Sequence, residues 1–152
     1  MNSFIRKIND NDFGRISEIE IFNYRLNFYP IFKSDEFNFS ELNVLSMTEE
    51  YKKDKAASDE LYVYDDGVVK GFVRIVGSEI KKLFVEPILQ GNKIGEELLM
   101  FAVKEKQADT LWALEKNKRA VKFYERHGFH KTGNRKPEED TDEFLIEMKA
   151  GK

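Results

Sequence analysis

Cysteine is absent from the 152 residues, which removes disulfides, thiolate metal sites and a cysteine nucleophile together. Histidine occurs only at His127 and His130, and neither belongs to an HExxH pattern or a comparable cluster, so no metal is expected. No apolar run has the length of a signal-peptide core or a membrane span, and the expectation is a cytoplasmic chain with no membrane partner. An excess of positive charge is missing too. Lys and Arg number 25 against 28 Asp and Glu, a net of −3, so nucleic acid is not an expected partner and any phosphate contact must be local.

What is there fits one domain spanning residues 1–152, long enough to bury roughly 70% of its unfolded surface in a single core. The 13 Phe and 6 Tyr supply that core. Phe4 to Lys7 reads as a first strand, followed by a helix capped at Asp10, Asn11 or Asp12, carrying Ile16, Ile19, Asn23 and Leu26 and stopped by Pro30. Phe22 and Tyr29 widen its apolar face. A second helix, capped by Ser34 or Ser40, runs through Leu42, Leu45 and Tyr51. Asp65-Asp66-Gly67 between Leu61–Tyr64 and Val68–Val76 is a hairpin signal, and Gly77-Ser78 turns the chain into a strand from Glu79 to Val85. A helix burying Ile94, Leu98, Leu99, Ala102 and Val103 precedes the apolar strand Thr110–Leu114. Asn117 to His127 forms a further helix ended by Gly128, and Phe129–Thr132 pairs with Phe144–Met148 as a closing hairpin. The order implies an α+β fold: a mixed, mostly antiparallel sheet of about seven strands with about four helices on both faces.

The segment Val85-Glu86-Pro87-Ile88-Leu89-Gln90-Gly91-Asn92-Lys93-Ile94-Gly95 joins a strand to a helix N-terminus, an arrangement that points backbone N–H groups at an anion. Gln90-Gly91-Asn92-Lys93-Ile94-Gly95 resembles the Q/R-x-x-G-x-G/A pyrophosphate loop of the GNAT superfamily of acyl-CoA-dependent N-acyltransferases. Asn117-x-x-Ala120-x-x-Phe123-Tyr124-x-x-x-Gly128-Phe129 resembles the second signature of that family, without a gap. Lys93 departs from the pattern by replacing its first Gly. Either its N–H stays in place while its ammonium reaches a phosphate oxygen, or the cofactor site is altered.

The resemblance implies acetyl-CoA as cosubstrate and direct ternary-complex transfer of acetyl to a primary amine, borne by a small molecule or a peptide. It places the cofactor on Phe84, Val85, Gln90, Gly91, Asn92, Lys93, Ile94, Gly95, Asn117 and Phe123. The Val85 N–H would bind the thioester oxygen, and the Phe84–Val85 backbone would pair with the pantetheine arm like an added strand. Tyr124 would protonate the leaving thiolate and Glu79 would take the amine proton, with Glu20 and Glu115 in reserve. From the residues alone other readings stand beside these. Glu79 is equally a strand-end carboxylate, Phe123-Tyr124 a core aromatic pair, Asn117 a helix N-cap and Trp112 a core residue.

Strand alternation places Glu79, Lys81, Leu83 and Val85 on one face and Ile80, Lys82, Phe84 and Glu86 on the other, unless a bulge near Leu83 breaks the phase. The aromatics Phe22, Tyr24, Phe28, Tyr29 and Phe32 read first as core and second as the floor of an amine pocket. A non-catalytic acyl-CoA-binding or regulatory module is the competing function. The closing hairpin offers a surface for a homodimer.

Overall fold

The computed structural model describes residues 4–28, 43–90, 93–138 and 141–151. Seven strands form one sheet: β1 (Ile5–Lys7), β2 (Leu61–Asp65), β3 (Val69–Val76), β4 (Glu79–Val85), β5 (Thr110–Leu114), β6 (Phe129–Pro137) and β7 (Phe144–Ala150). Their order is β1-β2-β3-β4-β5-β7-β6. Only β4 and β5 run parallel, because a helical crossover joins them while the other neighbours are joined by hairpins or longer returns. The hairpin turns use glycine where a positive φ is required, at Gly67 (+123°) and Gly77 (+62°).

Five α-helices lie among the described residues: α1 (Phe13–Asn23), α2 (Val44–Lys53), α3 (Ala57–Glu60), α4 (Ile94–Lys106) and α5 (Lys118–Arg126). One face of the sheet buries Ile94, Leu98, Leu99 and Ala102 of α4 and Val121 of α5 against Val73, Ile80, Leu111 and Met148. The other packs Phe13, Ile16 and Ile19 of α1 and Tyr51 of α2 against Leu61, Val63 and Phe72. The one-turn α3 lies between α2 and β2.

Two helix starts differ from expectation. Asn9, not Asp10, Asn11 or Asp12, caps the 3-10 turn that leads into α1, and the Asp12 carboxylate accepts the Asn9 N–H in return at 2.9 Å. For α2, Asn43 caps Val44–Lys53 by accepting the Ser46 N–H at 2.8 Å; Ser34, Ser40 and Leu42 lie outside the described residues. Leu45, expected inward, is 81% exposed, whereas Tyr51 is buried. After Asn23 the first helix widens into a π turn over Tyr24–Phe28, and Leu26 is exposed. Tyr29 and Pro30 lie outside the described residues.

Strand β4 carries a bulge. Arg74 faces Lys82 but Ile75 faces Ile80, so Lys81 is the extra residue. Phase therefore flips there: Ile80 joins Leu83 and Val85 in the core under α4, while Phe84 joins the core under α1. Uninterrupted alternation does not hold, and the break falls two residues before Leu83.

Candidate active site

Strands β4 and β5 pair at Glu79–Thr110 and Ile80–Leu111 and then part. The gap widens toward Val85 into a cleft of about 720 Å³, walled by β4, β5, the start of α4, α5, and Asn23 and Tyr24. The ladder to β3 decides which groups face the gap. Glu86 donates its N–H to the Lys70 carbonyl at 2.9 Å, so Phe84 opposite Phe72 is also a hydrogen-bonded pair, while Val85 opposite Gly71 and Leu83 opposite Val73 are not. Val85 and Leu83 thus turn their N–H and C=O toward β5, and those of Phe84 belong to the sheet. Gly71 makes the end of β4 tight, since a Cβ there would lie 2.9 Å from the Phe84 carbonyl oxygen and 3.0 Å from Leu98.

The Val85 carbonyl is met by two side chains. Asn23 Nδ2 donates to it at 2.9 Å and Gln90 Nε2 at 3.2 Å, and Gln90 Nε2 also lies 3.0 Å from Asn23 Oδ1. Gln90, expected at the pyrophosphate, directs its side-chain amide inward. Gly91 and Asn92 lie outside the described residues. Lys93 adopts φ +68°, ψ +5°, a left-handed conformation that favours glycine, immediately before α4. Lys93 at the N-cap makes no side-chain capping bond, and among the described residues none is seen to cap α4, whose first N–H groups stand at the positive end of the helix dipole. Ile94 buries its side chain in the core and offers only its backbone to the loop. Gly95 lets α4 sit against Val85 and Phe123, each about 3.6 Å from where its Cβ would be.

The helix α5 supplies the opposite wall. Asn117 accepts the Ala120 N–H at 3.3 Å as the N-cap, and it also lines the cleft. Tyr124 stands edge-on to Phe123 and Phe129, and its hydroxyl has no hydrogen-bond partner among the described residues. Burial pushes that hydroxyl up to about 12. Lys93, Arg119 and Arg126 add positive charge along the same walls.

The three candidate carboxylates separate. Glu79 lines the cleft at its closed end, half-buried, with Lys81 Nζ 3.6 Å away. Glu20 is 1% exposed and accepts from the Tyr24 and Tyr51 hydroxyls and from Lys82 Nζ at 2.9 Å. Burial and the Glu20 charge hold both phenols well above their usual range. Its two oxygens are thus already engaged by three donors, and the carboxylate is held away from the cleft. Glu115 is half-buried and bound to Arg135 at 2.9 Å, which lowers its pKa.

Two aromatic expectations change. Trp112 lies on the cleft wall under the Lys136 ammonium, 4.2 Å from its ring centre, instead of in a core. Phe22 is exposed and Tyr24 lines the cleft, edge-on to Phe84; Tyr29 and Phe32 lie outside the described residues. Asn23 and Leu83 join the site without having been singled out for it. A polar Asn23 four residues after Ile19, on an otherwise apolar helix face, was the available signal.

Among the described residues no three His, Asp or Glu groups gather to hold a metal, and no helix is long and apolar enough to cross a membrane. Residues 30–149 match the family described as "Acetyltransferase (GNAT) domain". No curated protein matches the sequence. Among solved structures, the chain is similar to apo-form YjaB from Escherichia coli (TM-score 0.77, 22% identity, 97% of each chain). It is also similar to the PaiA N-acetyltransferase from Thermoplasma acidophilum in complex with coenzyme A (TM-score 0.69, 22% identity, 98% of this chain and 99% of that one). A third is yncA, a putative acetyltransferase from Salmonella typhimurium with its cofactor acetyl-CoA (TM-score 0.62, 17% identity, 95% and 91%).

Proposed function

Because the chain belongs to the GNAT acetyltransferase family, we propose that it transfers acetyl from acetyl-CoA to a primary amine in a ternary complex, with residues 1–152 acting as one domain. The observation that carries this reading is the parted β4–β5 pair, which turns the Leu83 and Val85 amides into a cleft beside the start of α4. A diphosphate fits that start, where N–H groups, the helix dipole and Lys93 converge. An extended amide-bearing arm fits the unpaired edge of β4 as an added strand.

The amide N–H groups of Leu83 and Val85 supply the donors for a thioester oxygen as it gains negative charge. The amine nitrogen bonds to the carbonyl carbon, the carbon–sulfur bond breaks, and the acetyl group leaves on nitrogen as an amide. The nitrogen's proton passes to Glu79. Four strand positions, roughly 13 Å of extended chain, separate Glu79 from Leu83, so the transfer runs through water. Tyr124 gives its proton to the departing sulfur; a phenol held near 12 stays protonated until then. No covalent enzyme intermediate is needed.

The test is amine-dependent thiol release from acetyl-CoA across polyamines, amino acids, aminoglycosides and peptide N-termini. Release with one class supports the proposal and names the acceptor. Binding of acetyl-CoA without release on every acceptor favours a non-catalytic module, and absence of acetyl-CoA binding sinks both readings.

A further inference from the structure

We propose that Asn23 is a positioning residue for the cofactor strand: its buried side-chain amide grips the Val85 carbonyl and so fixes the Val85 N–H toward the cleft. This rests on the reading of the cleft as an acetyl-CoA site. Asn23 is the last residue of α1, 3% exposed and 62 positions from Val85 in the chain.

An unbroken sheet would satisfy the Val85 carbonyl from β5. Here the strands have parted, and a buried carbonyl left without a donor is destabilising. Asn23 and Gln90 supply the donors instead. The Val85–Glu86 peptide is then gripped at both ends, its carbonyl by these two amides and its N–H by the Lys70 carbonyl at 2.9 Å. The preceding peptide is held by the Phe84–Phe72 pairing. With both planes fixed, the backbone angles of Val85 are fixed, and its N–H cannot rotate away from the gap.

Asn23 is itself pinned. Its Nδ2 also donates to the Ile19 carbonyl at 2.9 Å, and its Oδ1 accepts from Gln90. The same helix holds the strand end a second time through Arg15, which donates to the Val69 carbonyl at 2.8 Å and pairs with Glu86. Helix α1 therefore braces the strand end that the parted sheet leaves without a neighbour on its β5 side.

The test compares Asn23→Asp, which keeps the acceptor for Gln90 but removes the donor, with Asn23→Leu, which removes both. Calorimetric titration uses two probes: acetyl-CoA, whose arm would lie on β4, and adenosine 3′-phosphate 5′-diphosphate, its nucleotide half, which would not. Folding is checked by circular dichroism, and either variant alone suffices if the other fails to fold. Acetyl-CoA binding is expected to weaken about tenfold while the nucleotide half changes less than twofold. Equal loss for both probes, no loss for either, or failure of both variants to fold would make Asn23 merely structural and overturn the proposal. A wild-type chain that binds neither probe overturns the proposed function itself, and the positioning role falls with it.

Discussion

Lys82 Nζ lies 2.9 Å from Glu20 Oε2 and donates to the Tyr51 hydroxyl at 2.8 Å, so one ammonium from β4 neutralises a carboxylate buried on α1. The pair ties the sheet to the helix that also carries Asn23. Removing one partner leaves a buried charge without compensation. Lys82→Met is expected to lower stability by about 3 kcal/mol, read as a shift of the urea midpoint at constant slope. Adding Glu20→Gln should recover part of that loss; if the double variant is worse than the single, charge pairing is not what the bridge contributes.

Lys93 holds a left-handed conformation that a Cβ disfavours by roughly 1–2 kcal/mol. Lys93→Gly relieves the strain but adds freedom to the unfolded chain, and the net expectation is about 1 kcal/mol of stabilisation. Acetyl-CoA affinity should stay within threefold, because the loop offers its backbone. A tenfold loss in titration would assign the phosphate contact to the ammonium.

For Tyr124→Phe, kcat is expected to fall about 10²-fold with KM for acetyl-CoA unchanged, since the ring remains and only the proton is lost. Equal kcat for the two proteins would remove Tyr124 from the chemistry.

Alkaline stability follows from the same phenol. Its folded value, about 12, lies above the ordinary ~10, so the folded state retains a proton that the unfolded state releases. The stabilisation is complete below pH ~10 and lost as pH rises toward 12. Urea unfolding at pH 9, 10 and 11 should show stability declining, with a shallower decline in Tyr124→Phe. Identical slopes would mean that Tyr124 is not desolvated.

Glu79→Gln should lower kcat about 10²-fold at pH 7. A primary amine with pKa ~10 is mostly protonated there, so raising the pH supplies free amine and should restore much of the rate. A deficit that stays constant from pH 7 to 9.5 would rule Glu79 out as the base.

Much of the fold was readable because its determinants are local. Asp-Asp-Gly at residues 65–67 and Gly77 encode turns through backbone angles, and the spacing of Leu98, Leu99 and Ala102 encodes a buried helix face within one segment. The β4 bulge was not readable from alternation, since strand pattern assumes one partner residue per position and Lys81 has none. Glu20 and Asn23 gave only a weak signal: polar side chains at inward positions of α1, whose partners include Lys82 and the Val85 carbonyl on β4, each 62 positions along the chain. Trp112 misled because an apolar strand usually lies under cover, and here one face of it borders the cleft.

The sequence by itself determined the order of elements, the turns, and two short motifs whose parts lie close along the chain, because each depends on φ, ψ and periodicity over a few residues. Tertiary structure alone decided where β4 leaves β5, which amides that turns outward, and that Asn23 meets the Val85 carbonyl. Those outcomes depend on how α1 seats on the sheet, a packing relationship between segments some 60 residues apart that no local pattern specifies.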